Sequence, residues 1–205
     1  MSLPDLALDL QHSLHDSATA FGADALADMR RFVLQALPAM ALKRPRTKLG
    51  QVLLQAEVPR YSLADCADFS AYKTHLWEQR GCALQPWDAG YPGATPRMSA
   101  SNDGAGYWLD FAPAPNALHI AARGSSFRFY YFATHTLGDE PTESTVNLAD
   151  RGLLLLRAQV EALRELAIRN VTKPVAMRDG YSGQPRNSTA AALHAQLLEI
   201  FEAAA

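Results

Sequence analysis

The apolar positions near the N-terminus recur every three or four residues, which is the spacing of one face of a helix. The first such stripe comprises Leu3, Leu6, Leu10 and Leu14. Gly22 interrupts this stripe, and a second stripe begins after Asp24, a residue that suits an N-cap. Pro38 is expected to end or kink the second helix. Residues 1–42 are therefore predicted to form a helical N-terminal segment.

The same helical spacing returns in the C-terminal third of the chain. Residues 147–169 have apolar side chains on one face and charged side chains on the other, which predicts an amphipathic helix. A last helix is predicted over about 188–203, with Ser188 as its cap. We expect both helices to cover a sheet.

A further helix is predicted in the first half of the chain. Ser62 precedes Asp65 at the spacing of a capping box, and Gly81 can end a helix that runs to about Arg80. The basic stretch 43–48 precedes this region and is predicted to be an exposed linker loop.

Residues 107–136 alternate between apolar and polar positions, which is typical of strands. Gly124 and Ser125 suit a two-residue hairpin turn, and residues 113–116 suit the turn before it. These two turns predict three adjacent antiparallel strands. The predicted register gathers one set of side chains on a common buried face: Tyr107, Leu109, Phe111, Leu118, Ile120, Ala122, Phe127, Phe129 and Tyr131.

The reverse face of this predicted sheet carries candidate chemistry. Asp110, His119 and Tyr130 would lie side by side on three strands, within contact distance. Asp110 would then raise the pKa of His119 or fix its tautomer, as an orienting acid does for a general base. In this hypothesis Arg128, one row further along, anchors an anionic group of a small molecule.

Partner binding is a second interpretation of the same face. Outward polar residues are ordinary on a half-covered antiparallel sheet. Aromatic residues and arginine are favoured at the centres of protein interfaces. The candidate ligand- or partner-binding residues are Trp108, Asp110, His119, Arg128, Tyr130 and Phe132. No catalytic residue is assigned.

Two loops rich in glycine and proline are expected near this face. Residues 83–106 form the longer one, which also contains Trp87 and Tyr91. Loops of this length inside a compact domain are uncommon and often functional, so a lid or a partner contact is predicted there. Residues 178–189 are predicted to form the second loop.

The residues from Asn102 to Gly106, followed by those from Leu109 to Pro113, resemble a short segment of one superfamily of bacterial toxin-immunity proteins. Yeast cell-wall assembly regulators share that superfamily. The resemblance is confined to this segment and assigns no family to the chain. It favours a partner-binding role.

Composition narrows the function classes. The chain has 205 residues, enough for one well-buried core, so a single domain over 1–205 is predicted. A net charge of -2 argues against a nucleic-acid partner, and no apolar run is long enough to span a membrane. The N-terminus does not resemble a signal peptide, which predicts a cytoplasmic location.

Metal and cofactor sites are not predicted. Cys66 and Cys82 lack the close spacing of zinc ligands and are expected to be plain thiols. His12 and His15 have the spacing of two metal ligands on a helix, but no third ligand accompanies them in the sequence.

Together these observations predict an α+β fold in which an antiparallel sheet over about 107–136 packs with amphipathic helices from the N- and C-terminal sides. The predicted function is that of a non-enzymatic cytoplasmic protein-binding module of immunity, chaperone or adaptor type. It would use the outward sheet face and the 83–106 loop. The alternative is a small-molecule enzyme or ligand-binding protein that uses the row of Asp110, His119 and Tyr130.

Overall fold

Helices and antiparallel sheets both build the structure, so the predicted α+β class is confirmed. The computed structural model describes residues 1–77, 85–169, 175–178 and 185–204. The chain divides into two compact units. Unit 1 comprises Met1–Pro45 with His135–Ala205, and unit 2 comprises Arg46–Thr134. The single domain over 1–205 stays a prediction.

The helices and strands follow one another in three blocks along the chain: helices, then mostly strands, then mostly helices. The α-helices of the described residues are α1 (Leu3–Leu14), α2 (Ala25–Lys43), α3 (Ala117–Arg123), α4 (Arg151–Ile168) and α5 (Ala190–Ala203). The strands are β1 (Arg46–Leu53), β2 (Arg60–Ser62), β3 (Phe69–Leu76), β4 (Arg97–Asn102), β5 (Tyr107–Ala112), β6 (Ser126–Ala133), β7 (Val175–Arg178) and β8 (Pro185–Ser188). Within these described parts, no helix has the length and apolar character needed to cross a membrane.

The N-terminal segment is helical, as predicted. The Ser2 hydroxyl accepts a hydrogen bond from the backbone N–H of Asp5, and the Asp5 carboxylate accepts one from the N–H of Ser2, which caps α1. A 3₁₀ segment, His15–Asp24, connects α1 to α2. The predicted stripe of α1 is buried: Leu3, Leu6, Leu10 and Leu14.

Pro38 was predicted to end or kink α2, and it does not end the helix. The helix continues past Pro38 to Lys43. Leu37 and Met40 flank this position and are buried in the core of unit 1. Their burial outweighs the single backbone hydrogen bond that proline removes, because tertiary packing supplies most of a helix's stability.

The C-terminal helices also form in unit 1. Leu154, Leu163 and Leu166 of α4 are fully buried. The cap of α5 is Thr189 rather than the predicted Ser188, since the Thr189 hydroxyl accepts a hydrogen bond from the N–H of Ala192. Ser188 instead ends β8, which pairs with β7, so the predicted 178–189 loop contains strand residues; its residues 179–184 lie outside the described ones.

Unit 2 contains two three-stranded antiparallel sheets that share one core. Sheet 1 has the order β1-β6-β3, and sheet 2 has the order β2-β5-β4. The core residues contributed by β5 and β6 are Leu109, Phe111, Phe127, Phe129 and Tyr131. The rings of Phe111 and Phe127 meet edge-on with centroids 5.1 Å apart. The predicted buried sides of β5 and β6 are therefore confirmed except at Tyr107, which is 38% exposed, and the two strands belong to different sheets.

The predicted strand over 117–123 is wrong, because these residues form α3. The side-chain oxygen of Asn116 accepts a hydrogen bond from the N–H of His119 at 2.8 Å, which caps the helix, and Gly124 ends it with φ near 87°. The predicted hairpin turn at Gly124 and Ser125 fails with that strand. A segment as short as 117–123 can match the apolar spacing of a helix or of a strand, so the N-cap at Asn116 decides that it forms a helix.

The helix predicted from Ser62 to Arg80 is also wrong. The Ser62 hydroxyl accepts a hydrogen bond from the N–H of Ala64 in a local turn and caps no helix. Downstream, β3 pairs with β6 and buries the side chain of Phe69 in the shared core. Burial against the second sheet thus outweighs the local helix signal.

Two predicted loops contain strands as well. The basic stretch 43–48 is not a loop, since Lys43 ends α2 and Arg46 begins β1. In the predicted 83–106 loop, residues 85–96 are irregular, but 97–102 form β4, which pairs with β5. Residues 78–84 lie outside the described ones.

Gly50 marks a close approach between β1 and the core of unit 2. A Cβ atom at this position would lie 2.6 Å from Cζ of Phe129. We expect Gly50→Ala to lower the free energy of unfolding by about 1–3 kcal/mol, because the buried Phe129 ring must shift. Urea denaturation followed by circular dichroism measures the change.

Gly152 provides the matched control, because nothing lies within 4 Å of a Cβ atom there. Gly152 is the second residue of α4. Alanine favours a helix over glycine, so Gly152→Ala should leave stability unchanged or raise it by up to about 1 kcal/mol. Equal destabilisation by both variants would contradict the packing argument at Gly50.

Candidate partner-binding face

The predicted site residues lie in three separate elements: strand β5, strand β6 and, for His119, helix α3. Trp108 and Asp110 lie on β5 in sheet 2. Arg128, Tyr130 and Phe132 lie on β6 in sheet 1. Because the two sheets face each other across one core, their outward faces lie on opposite sides of it. The predicted row of Asp110, His119 and Tyr130 does not form.

His119 is a buried structural residue of α3, with 2% of its surface exposed. Its Nδ1 accepts a hydrogen bond from the backbone N–H of Asn116 at 3.2 Å. Nε2 lies 3.0 Å from the carbonyl oxygen of Ala94, so Nε2 carries the proton and donates it. Both ring nitrogens are therefore used within the fold, and neither is available as a general base.

The residues of α3 also hold the loop that precedes β4. The Asn116 amide donates a hydrogen bond to the carbonyl of Pro92 at 3.1 Å. Arg123 donates to the Thr95 hydroxyl at 3.0 Å and to the carbonyl of Trp77 at 2.7 Å. With the bond from His119, these contacts fix residues 92–95 against the helix. At 85–91 the same loop carries Trp87, whose side chain is 81% exposed.

Asp110 pairs with Arg60, a residue that sequence reasoning missed. Arg60 Nε donates a hydrogen bond to Asp110 Oδ1 at 2.9 Å, and the Ser101 hydroxyl donates to Asp110 Oδ2. The Arg60 guanidinium lies over the ring of Trp108, 5.0 Å from its centroid. The polar and apolar residues Arg60, Tyr61 and Ser62 alternate as they do in a strand, so the sequence did carry a signal for β2 and for the position of Arg60. The carboxylate of Asp110 is therefore neutralised within the outward face of sheet 2.

The outward face of sheet 1 differs in both charge and exposure. We call it the basic face and define it by nine exposed or half-buried residues of β1, β3 and β6: Thr47, Leu49, Gln51, Leu53, Lys73, Thr74, Arg128, Tyr130 and Phe132. Direct pairs fix its layout, since Leu49 and Thr74 both lie beside Tyr130, and Thr47 lies beside Phe132. Leu49 is 49% exposed and Leu53 is 65% exposed.

The charges of the basic face have one sign. Arg128 is exposed, and the Lys73 ammonium lies over the Phe132 ring, 5.2 Å from its centroid. β1, β3 and β6 contain no aspartate or glutamate. The strands of sheet 1 thus present exposed leucine and half-buried aromatic rings beside uncompensated positive charge.

A second polar cluster surrounds Asp68, where β1 begins and β6 ends. Asp68 Oδ2 accepts hydrogen bonds from Arg46 and Lys48, and Oδ1 accepts one from the Tyr131 hydroxyl at 2.8 Å. Desolvation disfavours the charged form of Asp68, but the bonds from Lys48 and Tyr131 and the nearby cations outweigh it and lower the pKa of Asp68. The backbone carbonyl of Asp68 also accepts from the N–H of Thr134.

The Asp68 cluster is not arranged for nucleophilic chemistry. Desolvation and the hydrogen bond to Asp68 both raise the pKa of Tyr131. Burial likewise raises the pKa of the neighbouring Cys66 thiol, so both groups are protonated at neutral pH. Among the residues described, no group of three or more histidine, cysteine, aspartate or glutamate side chains is placed to hold a metal ion.

The chain matches no model of a known protein family, and no curated protein is similar enough to count as a relative. The basic face of unit 2 combines exposed leucine side chains with uncompensated positive charge.

The role of His119 predicts a stability effect. His119→Ala removes two hydrogen bonds and leaves a buried void, so we expect the free energy of unfolding of the chain to fall by about 2–4 kcal/mol. Urea denaturation measures it. His12→Ala, at an exposed histidine of α1, is the control and should change stability by less than about 0.5 kcal/mol. If His119→Ala leaves the free energy of unfolding unchanged, the structural role assigned to His119 is refuted.

The lowered pKa of Asp68 predicts a pH dependence of stability. A carboxylate with a lowered folded-state pKa stabilises the fold above its ordinary pKa of about 3.9, and this contribution disappears as the pH falls through the folded-state value. Asp68→Asn should therefore cost about 1–2 kcal/mol at pH 7 and progressively less below about pH 4. Thermal denaturation across this range tests it, with Asp65→Asn as the control at an exposed carboxylate. If the stability difference between Asp68→Asn and the wild-type chain does not shrink as the pH falls below about 4, the stabilising role of the ionised Asp68 carboxylate is contradicted.

Proposed function

We propose that unit 2 is a non-enzymatic protein-binding module whose basic face docks on a partly apolar, acidic surface of a partner protein. The observation that carries this proposal is the exposure of Leu49 and Leu53 beside Arg128 and Lys73, on strands that contain no carboxylate. Exposed apolar side chains within a patch of one charge are what a complementary partner surface would cover.

The aromatic residues of the basic face support a protein partner. Tyr130 and Phe132 are half buried and sit on the central strand of sheet 1, between β1 and β3. Side chains already held by neighbouring strands lose little freedom on binding, which makes them efficient anchors. Three of the sequence-predicted residues, Arg128, Tyr130 and Phe132, belong to this face.

The loop at 85–96 offers a second contact in the same proposal. Trp87 exposes 81% of its side chain there, while His119 and Asn116 hold the far end of the loop. Tryptophan is enriched among residues that dominate binding energies. A partner that reaches both features would bury an exposed indole as well as the leucines of the basic face.

The alternative of a small-molecule enzyme loses its geometric support. It needs Asp110, His119 and Tyr130 to act together, but they occupy a strand of sheet 2, a buried helix and a strand of sheet 1.

A cytoplasmic location remains part of the proposal, since Cys66 is a free thiol in the structure.

The test compares matched leucine variants in affinity purification from the native host. We expect Leu53→Asp to release a protein that the wild-type chain retains, because the new carboxylate is repelled by an acidic partner and removes apolar contact. Leu42→Asp, at an 85% exposed leucine of α2, is the control and should retain that protein. Neither change should affect stability by more than about 0.5 kcal/mol, since both side chains are exposed.

A photo-crosslinking residue placed at Thr47 or Gln51 then tests contact directly. It should form a covalent adduct with the retained protein, and the same residue placed at Ser99 on sheet 2 should not. Retention of that protein by Leu53→Asp would overturn the proposal. Adducts with that protein that form from Ser99, but not from Thr47 or Gln51, would overturn it as well.

A further inference from the structure

One edge of sheet 2 is formed by β4, whose outer side pairs with no strand in the described part of the chain. An open groove of about 470 Å³ lies beside it, between β4 and the edge strand β3 of sheet 1. Its walls include Ser99, Ala100 and Ser101 of β4, together with Tyr72 of β3. Half of the backbone N–H and C=O groups of β4 point toward this groove, as in any edge strand.

The two edge strands differ in how they are protected. The pairing of β3 with β6 shifts twice, between Phe69 and Ala71 and between Tyr72 and Thr74, and such irregularities make an edge a poor template. The pairing of β4 with β5 continues without a shift from Arg97 to Asn102. Inside β4 there is no proline, lysine or carboxylate, which are the residues that commonly block edge pairing.

The ends of β4 carry opposite charges. Arg97 at its start is exposed, and its side chain makes no ion pair or hydrogen bond within the described residues. Asp103 directly follows its last residue, Asn102. The Oδ1 atom of Asp103 accepts hydrogen bonds from the N–H groups of Ala105 and Gly106, while the Arg60 guanidinium lies 4.0 Å from Oδ2. Charge is thus available at both ends of an otherwise neutral strand.

We propose that β4 pairs antiparallel with β4 of a second copy of this chain. In the register centred on Ala100, Ala100 faces its own counterpart and Ser99 faces Ser101 of the other copy. Arg97 then faces Asp103 of the other copy, and two-fold symmetry forms this ion pair twice. The small central side chains let the two backbones approach, and the result is a continuous six-stranded sheet. This interface is separate from the basic face.

Sedimentation equilibrium of the full chain tests the association. The wild-type chain should show a monomer–dimer equilibrium. Arg97→Asp places like charges opposite each other at both ends and should raise the dimer Kd at least about tenfold. Asp103→Asn removes the charge but keeps the oxygen that accepts the turn hydrogen bonds, so it should weaken the dimer by a smaller factor. Arg128→Asp, a charge reversal on sheet 1, is the matched control and should leave the Kd unchanged.

Amide hydrogen exchange locates the interface. Protection of residues 97–102 should increase with protein concentration in the wild-type chain and not in Arg97→Asp. A chain that remains monomeric at millimolar concentration would overturn the proposal. So would a dimer whose Kd is insensitive to Arg97→Asp, or one in which protection rises elsewhere but not in β4.

Discussion

The burial of aromatic side chains between the two sheets of unit 2 is the constraint on which its surface depends. Phe127 and Phe129 of β6 are fully buried, and Phe111 of β5 packs edge-on against Phe127. Residues on a strand alternate between faces, so burying these rings directs Arg128 and Tyr130 outward from sheet 1. The same rule directs Asp110 outward from sheet 2, on the other side of the core. A shared active row of these residues is therefore excluded by the packing itself.

The polar groups inside and around this core are largely committed to structure. His119 uses both ring nitrogens to join α3 to the loop before β4. Asp68 joins the start of β1 to the end of β6, the points where the chain enters and leaves unit 2. Asp110 is neutralised by Arg60. Buried polar groups without partners are costly, so these networks stabilise the fold.

Two surface features, the basic face and the outer edge of β4, are not neutralised or paired in this way within the part of the chain that the structure describes, and both proposals rest on them. The leucines and cations of the basic face have no carboxylate among their strands, and the outer side of β4 has no strand beside it in the described residues. Both features present surface or backbone groups that another molecule can satisfy. The two proposals differ in kind, since the first assigns the exposed side chains to a different protein, whereas the second assigns the backbone edge to another copy of the same chain.

The sequence alone determined the α+β class, the N- and C-terminal helices, and the buried side of β5 and β6, because these follow from the local period of apolar residues. It identified Arg128, Tyr130 and Phe132 as outward by the same rule. Only tertiary structure decided that 117–123 is a helix, that 69–76 is a strand, and that β5 and β6 lie in different sheets. A short segment can match both the 3.6-residue repeat of a helix and the two-residue alternation of a strand. The pairing of strands depends on the burial of aromatic rings that are distant in the sequence, which no local pattern encodes. For that reason the neighbours of His119 and Asp110 could not be derived from the sequence.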